Sequence, residues 1–429
     1  MEPKHRPKPS AGLRVTFASL RERNIRAWLL ARVLRYTAWK MSAVADVWWI
    51  ATHTGSGLWV SAVVAALWLP GPFLASAAGR LADQPGAQRR IVRVGILRAV
   101  IATVTLGIVA TGSAAAWLLA ALALGRGVVD ARWGPIESIF LREVAEGDGD
   151  RIQVLAGLEK IAYYVALILG PAAVGGLFAA SGFALCLGVV VIAIGLATVL
   201  SGPRIIVLDA APAVAPTPPD DERRPDVGRL WSLQSWRDLL APLRSRPEGW
   251  IPLAIGETVN AMGANFVIWS PLLVTSAWHG AEGDLTLLQI ANGVGMLAGG
   301  TVIAAVGRPS EWLVVAAAAW WGAWELVLAA AGGLPLALTA LTLTGMGAGA
   351  LWSALSRQLL AVTHAGIGRV RALQGAISGS VFWVGSLLTG ALIDLQGPRA
   401  AVWFDAGVAA VAAIAGAVAL LIHRTRRAV

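Results

Sequence analysis

The chain has 429 residues, 57% of them hydrophobic and only 14% charged, with a formal net charge of +10. A soluble domain carries about a quarter charged residues, and its helices show polar faces at helical period that most of the long apolar runs here lack. The composition therefore excludes a water-soluble fold and describes an all-α membrane protein, each span needing about 20 apolar residues. Cys186 is the single cysteine, so no intramolecular disulfide forms.

The first 26 residues are basic and lack the apolar core of a signal peptide, so they are expected to form a cytoplasmic tail. Six spans are predicted near 27–51, 58–79, 92–111, 115–137, 153–179 and 183–202, and six more near 250–276, 285–306, 311–331, 335–356, 371–394 and 400–423. Residues 203–249 between them are rich in proline and charge, which reads as a cytoplasmic linker. A short tail, 424–429, closes the chain. With both ends on one side, that side's segments hold twenty-seven lysines and arginines against Arg399 alone on the other. This is the positive-inside pattern. The surplus charge that would suggest nucleic acid in a soluble protein here orients the chain among lipids. The expectation is an inner-membrane protein with both termini cytoplasmic, in two six-helix halves with a binding site between them.

In chain order, the first span carries Arg32, Arg35, Lys40 and Asp46. The two arginines, near the basic end, are expected to snorkel to headgroups. Lys40, at mid-membrane, is expected to face a cavity. The second and third spans are joined by "GRLADQPGAQRR", in which glycine and proline make a turn and arginines set topology. Asp83 is left over from that account, and a contact with a neighbouring helix end would make it a conformational latch. The fourth span places Arg126 and Asp130 four residues apart, able to neutralise each other. In the fifth, Glu159 and Lys160 are adjacent and need separate partners. An ionisable group inside a membrane is a functional candidate by default, with a merely structural ion pair as the competing reading.

The second half offers Glu257 and Asn260 on one face of the seventh span, Asn292 on the eighth and Glu325 on the ninth, and no lysine or arginine well inside its spans. Proton coupling requires a carboxylate that loads and releases a proton at accessible pH. Glu257, Asp130, Asp46 and Glu325 are the candidates, each with an ordinary hydrogen-bonded acid as its alternative. Lys40, Arg126, Asn260, Asn292, Trp352 and Trp383 are the cavity or substrate candidates. Of the twenty tryptophans, Trp28, Trp59, Trp250 and Trp403 fall near span ends as interfacial anchors. Gly295 and Gly299, Gly345 and Gly349, and Gly375 and Gly379 permit close helix approach.

Three stretches resemble the major facilitator superfamily. In "GRLADQPGAQRR" the residues Gly79, Leu81, Asp83 and Gly86 match its cytoplasmic signature, with Gln84 at a basic position and Arg89–Arg90 slightly late. The second-half counterpart, "VGRPSEW", keeps Gly307 and Arg308 without the aspartate. Arg23–Asn24, Trp28 and Thr54–Gly55–Ser56 resemble the opening of the drug and siderophore exporter branch. "GPAAVGG", with Gly170, Pro171, Gly175 and Gly176, is similar to the antiporter signature with one residue more between its elements. The resemblance implies twelve helices in two pseudo-symmetric six-helix bundles and proton-coupled export of lipophilic or amphipathic small molecules by alternating access. An importer or a lipid or metabolite carrier of the same fold remains open, as does a non-transporting sensor or scaffold. No "GK" dipeptide of a phosphate-binding loop occurs, and the histidines lie in tails, loops or span ends. Neither a cofactor, a metal nor enzymatic chemistry is expected, and a monomer suffices.

Overall fold

Short turns, most of them holding a glycine, join the helices at the end opposite the basic one. The computed structural model describes residues 20–74, 86–146, 148–208, 247–263, 265–306, 310–363 and 367–428. The first half holds α1 (Arg23–Thr54), α2 (Gly57–Leu74), α3 (Ala87–Ala110) and α4 (Ala116–Val144). A helical run Gly149–Leu200 then breaks at Gly182, whose φ of 77° suits glycine, into α5 (Val154–Phe178) and α6 (Gly182–Leu200).

The second half holds α7 (Glu248–Ala277), α8 (Glu282–Ala305), α9 (Glu311–Ala329), α10 (Leu334–Thr363), α11 (Ile367–Gln396) and α12 (Pro398–Ala428). α7 is irregular: after Gly263 a short helix Phe266–Leu272 carries Pro271 and passes into a π-turn, Leu273–Ala277. Proline removes an amide donor from the ladder, and a π-turn absorbs the mismatch. At the basic end α1, α3, α4, α10, α11 and α12 exceed the predicted spans by four to seven residues, whereas α6 and α8 stop slightly short of them. Of the expected linker, 203–249, residues 209–246 lie outside the described residues.

Ten of these helices are long and apolar enough to cross a membrane on composition alone. The other two are α1 and α4, whose interiors hold Arg32, Arg35, Lys40, Asp46, Arg126 and Asp130. They are also helices that pair with each other through those charges.

Backbone-to-backbone packing sets the helix positions. A Cβ at Gly295 or Gly299 of α8 would strike the carbonyl of Thr342 or Met346 of α10, and one at Gly349 the carbonyl of Met296. Between the halves, Gly57 of α2 lies against Gly390 and Ile393 of α11, and Gly175 of α5 against Thr286 of α8. The apolar core is distributed unequally. At the end opposite the basic one it is continuous, joining Val47, Val60 and Val174 of the first half to Leu273, Leu328 and Ala401 of the second. Toward the basic end it separates into one core around Trp28, Ile91 and Phe140 and another around Ile251, Trp321 and Leu355. The halves are fused at one end and parted at the other.

Candidate functional site

The parting encloses a cavity of about 1120 Å³ between the halves. Trp39, Lys40, Trp68, Asp130, Lys160 and Tyr164 line it from the first half. Asn260, Phe266, Asn292, Glu325, Trp352 and Phe382 line it from the second. Aromatic and apolar groups predominate, with few polar ones, as in sites for small molecules. The lining extends to Ser356 and Arg357 of α10, toward the basic end of that helix.

Most buried charges in the first half are tied to one another across helices. Asp46, fully buried on α1, pairs with Arg126 of α4. Asp130 of α4 takes Arg98 of α3 at 3.4 Å. The expected Arg126–Asp130 ion pair along one helix does not form; each group pairs across helices instead, and the two remain electrostatic neighbours along α4. Arg32 and Arg35 do not snorkel. Both are buried and converge on Glu137 of α4, Arg35 at 2.5 Å with Ser201 at 3.0 Å on its other side. The indole N–H of Trp133 also donates to Glu137, and Arg35 stacks 3.7 Å over the Trp133 ring. Trp28, expected at the interface, is 1% exposed beneath Arg32. Glu159 accepts from the Tyr36 hydroxyl at 3.0 Å and lies 3.8 Å from Arg32, while Lys160 sits over Tyr163.

Second-half carboxylates have a different environment. Glu257 accepts from Ser378 Oγ at 2.7 Å and from Asn260 Nδ2 at 3.5 Å. Glu325 accepts from the indole of Trp321 at 2.9 Å. Asp405 on α12, which sequence reasoning did not single out, accepts from the indole of Trp269 at 2.9 Å. Glu325 and Asp405 are electrostatic neighbours, and Asp405 Oδ1 has no hydrogen-bond partner. Among the described residues, no lysine, arginine or histidine pairs with any of the three.

The remaining candidates are distributed around this frame. Lys40, Asp130, Asn260, Asn292, Glu325 and Trp352 line the cavity; Asp46, Arg126, Glu257 and Trp383 are not among its lining residues. Gly170 packs on the Lys40 stem and Gly175 on Thr286, Pro171 is buried, and Gly176 is exposed. Gly79 and Asp83, like Gly307 and Arg308, lie outside the described residues. Gly86 has a φ of 84° and opens α3, and Arg89 on that helix is exposed with Arg90 half-buried. Glu143 of α4 caps α3 there, accepting from the amides of Ala87 and Gln88 at 3.1 and 3.3 Å.

A second carboxylate cap, also unforeseen, joins the halves at the opposite end. Asp394, near the end of α11, accepts from Ser56 Oγ at 2.9 Å and from the amides of Gly57 and Leu58 at 2.5 and 3.2 Å. It satisfies donors at the first turn of α2, where the helix dipole favours an anion. Ser56 and Asp394 are 338 residues apart, and the sequence singled out neither as a cap.

No family model and no curated protein matches the sequence. Solved structures do match. The nucleoside transporter NupG in mutant form aligns over 92% of this chain and 99% of its own, with a TM-score of 0.66 at 14% identity. A second NupG structure covers 93% and 99%, with a TM-score of 0.62 at 14% identity. A bacterial homologue of the human lysosomal transporter Spinster, inward-facing and unoccupied, covers 93% and 94%, with a TM-score of 0.62 at 14% identity. What this chain shares with them is the fold: twelve membrane helices in two pseudo-symmetric six-helix bundles, the major facilitator fold.

Proposed function

We propose that the chain is a proton-coupled secondary transporter of the plasma (inner) membrane that exports amphipathic small molecules by alternating access. Its termini and basic end would lie in the cytoplasm. The observation that carries the reading is the set of second-half carboxylates held only by neutral donors beside an inter-half cavity. A carboxylate bonded to a hydroxyl, an amide or an indole can take up and release a proton without breaking an ion pair. Glu257, linked to the wall through Ser378 and Asn260, is the proposed coupling group, with Glu325 and Asp405 as a neighbouring pair. Asp83 is proposed as a latch at the basic end, and the glycines of the 170–176 segment as the packing device of an antiporter.

Import of a polar metabolite is a second reading, supported by the amides Asn260 and Asn292 on the wall and by the nucleoside transporter among the structural neighbours. Inside-out vesicles with a preset pH gradient decide between them. An exported compound dissipates the gradient on addition, and Glu257→Gln abolishes the effect. An imported one moves with protons in the opposite sense. Absence of any flux with any compound would sink both.

A further inference from the structure

We propose that Lys40 binds the anionic group of the carried molecule, so that the cavity takes an amphipathic organic anion, an aromatic or aliphatic body bearing a carboxylate or sulfonate. This rests on the transporter reading and adds to it the sign of the cargo. Lys40 stands midway along α1, is 7% exposed and lines the cavity. Among the described residues it has neither a hydrogen bond nor an ion pair, and no charged side chain acts on it.

The other charged groups of the described wall all have partners. Asp130 has Arg98, Glu325 has the Trp321 indole, Arg357 donates to the carbonyl of Ile303 at 2.5 Å, and Lys160 lies over Tyr163. Among the described residues, no buried acid of the first half's spans is left over for Lys40. Asp46 is taken by Arg126, Glu137 by two arginines, and Glu159 by Tyr36 and Arg32. Gly170 of α5 explains how the side chain is held. A Cβ there would come within 2.8 Å of Lys40 Cβ and 3.0 Å of Cγ. The stem is therefore clamped between α1 and α5 while the ammonium reaches open volume.

A buried ammonium with no counter-charge is costly, and pairing it offsets that cost. Elsewhere in this half each buried charge has its partner within the fold; here no partner stands among the described residues and the site lines the cavity. An anionic head on Lys40 would leave its body against Trp39 and Tyr164 on one side and Phe266 and Phe382 on the other. A cationic ligand would meet repulsion at the same point, and a neutral one would leave the ammonium unpaired.

The test is equilibrium binding to the full-length protein in nanodiscs, with three probes sharing one ring: naphthalene-2-sulfonate, its neutral sulfonamide and the trimethylammonium analogue. The sulfonate is expected to bind at least about tenfold more tightly than either other probe, as one charge-assisted contact implies. Lys40→Gln should remove that preference and Lys40→Arg restore most of it. Equal binding of the three probes, no binding of the sulfonate, or a preference unchanged in Lys40→Gln overturns the proposal. The three-probe comparison on the unaltered protein needs no variant, so a misfolded Lys40→Gln does not remove the test. Binding that depends on Lys40 without flux in vesicles would sink transport and leave this site. Coupled flux of cations, intact in Lys40→Gln, would sink this site and leave transport.

Discussion

The two halves of the molecule solve the same problem in opposite ways. Each buries carboxylates inside the membrane, but the first answers them with arginines and the second with indoles, a hydroxyl and an amide. A buried ion pair holds geometry and resists change, since removing one partner strands the other charge. A carboxylate met only by neutral donors can change its charge with its neighbours in place. On the reading proposed above, the first half serves as scaffold and for cargo recognition, and the second carries the coupling ion.

Removing a carboxylate from each half tests that division. Asp46→Asn strands Arg126 and is expected to cost about 3–5 kcal/mol, read as a large fall in thermal stability of the purified protein. Restoring charge balance with Arg126→Met in the same chain should recover part of it. Glu257→Gln should leave stability within about 1 kcal/mol of the parent while lowering proton-coupled flux by at least tenfold, as loss of an essential proton carrier would. Equal destabilisation by the two substitutions would erase the contrast.

Smaller effects sharpen it. Asp394→Ala removes a charged cap worth about 1–2 kcal/mol from the end where the halves are fused. A cysteine placed at Ser61 should then react faster with a water-soluble thiol reagent, and an unchanged rate would count against Asp394 as a closure. The smallest change is expected from Glu325→Gln, which keeps an acceptor for the Trp321 indole and relieves repulsion from Asp405. Stability should hold or rise slightly, and a fall of more than about 1 kcal/mol would show the pair to be structural.

Spans were readable because hydrophobic length is a local signal. Lys40 was placed at the cavity on the same basis, by its depth in the first span. What could not be read was the choice of partner. Asp46 and Arg126 are 80 residues apart, and Arg35 and Glu137 are 102 apart. Arg32 and Arg35 near a span end looked like headgroup ligands because nothing local announced Glu137. Asp405 and Asp394 lay near the ends of their predicted spans, where an acid ordinarily meets water. Only the fold brings Trp269 to the first and the start of α2 to the second.

The continuous apolar seam at the fused end also has a thermal consequence. A cycle that opens this end must wet side chains such as Val60, Leu273 and Ala401, which are now at most 2% exposed. Hydrating apolar surface raises heat capacity, so the barrier to opening would change its enthalpy with temperature. Turnover limited by that step would trace a curved Arrhenius plot, whereas turnover limited by proton transfer at the carboxylates would remain nearly straight.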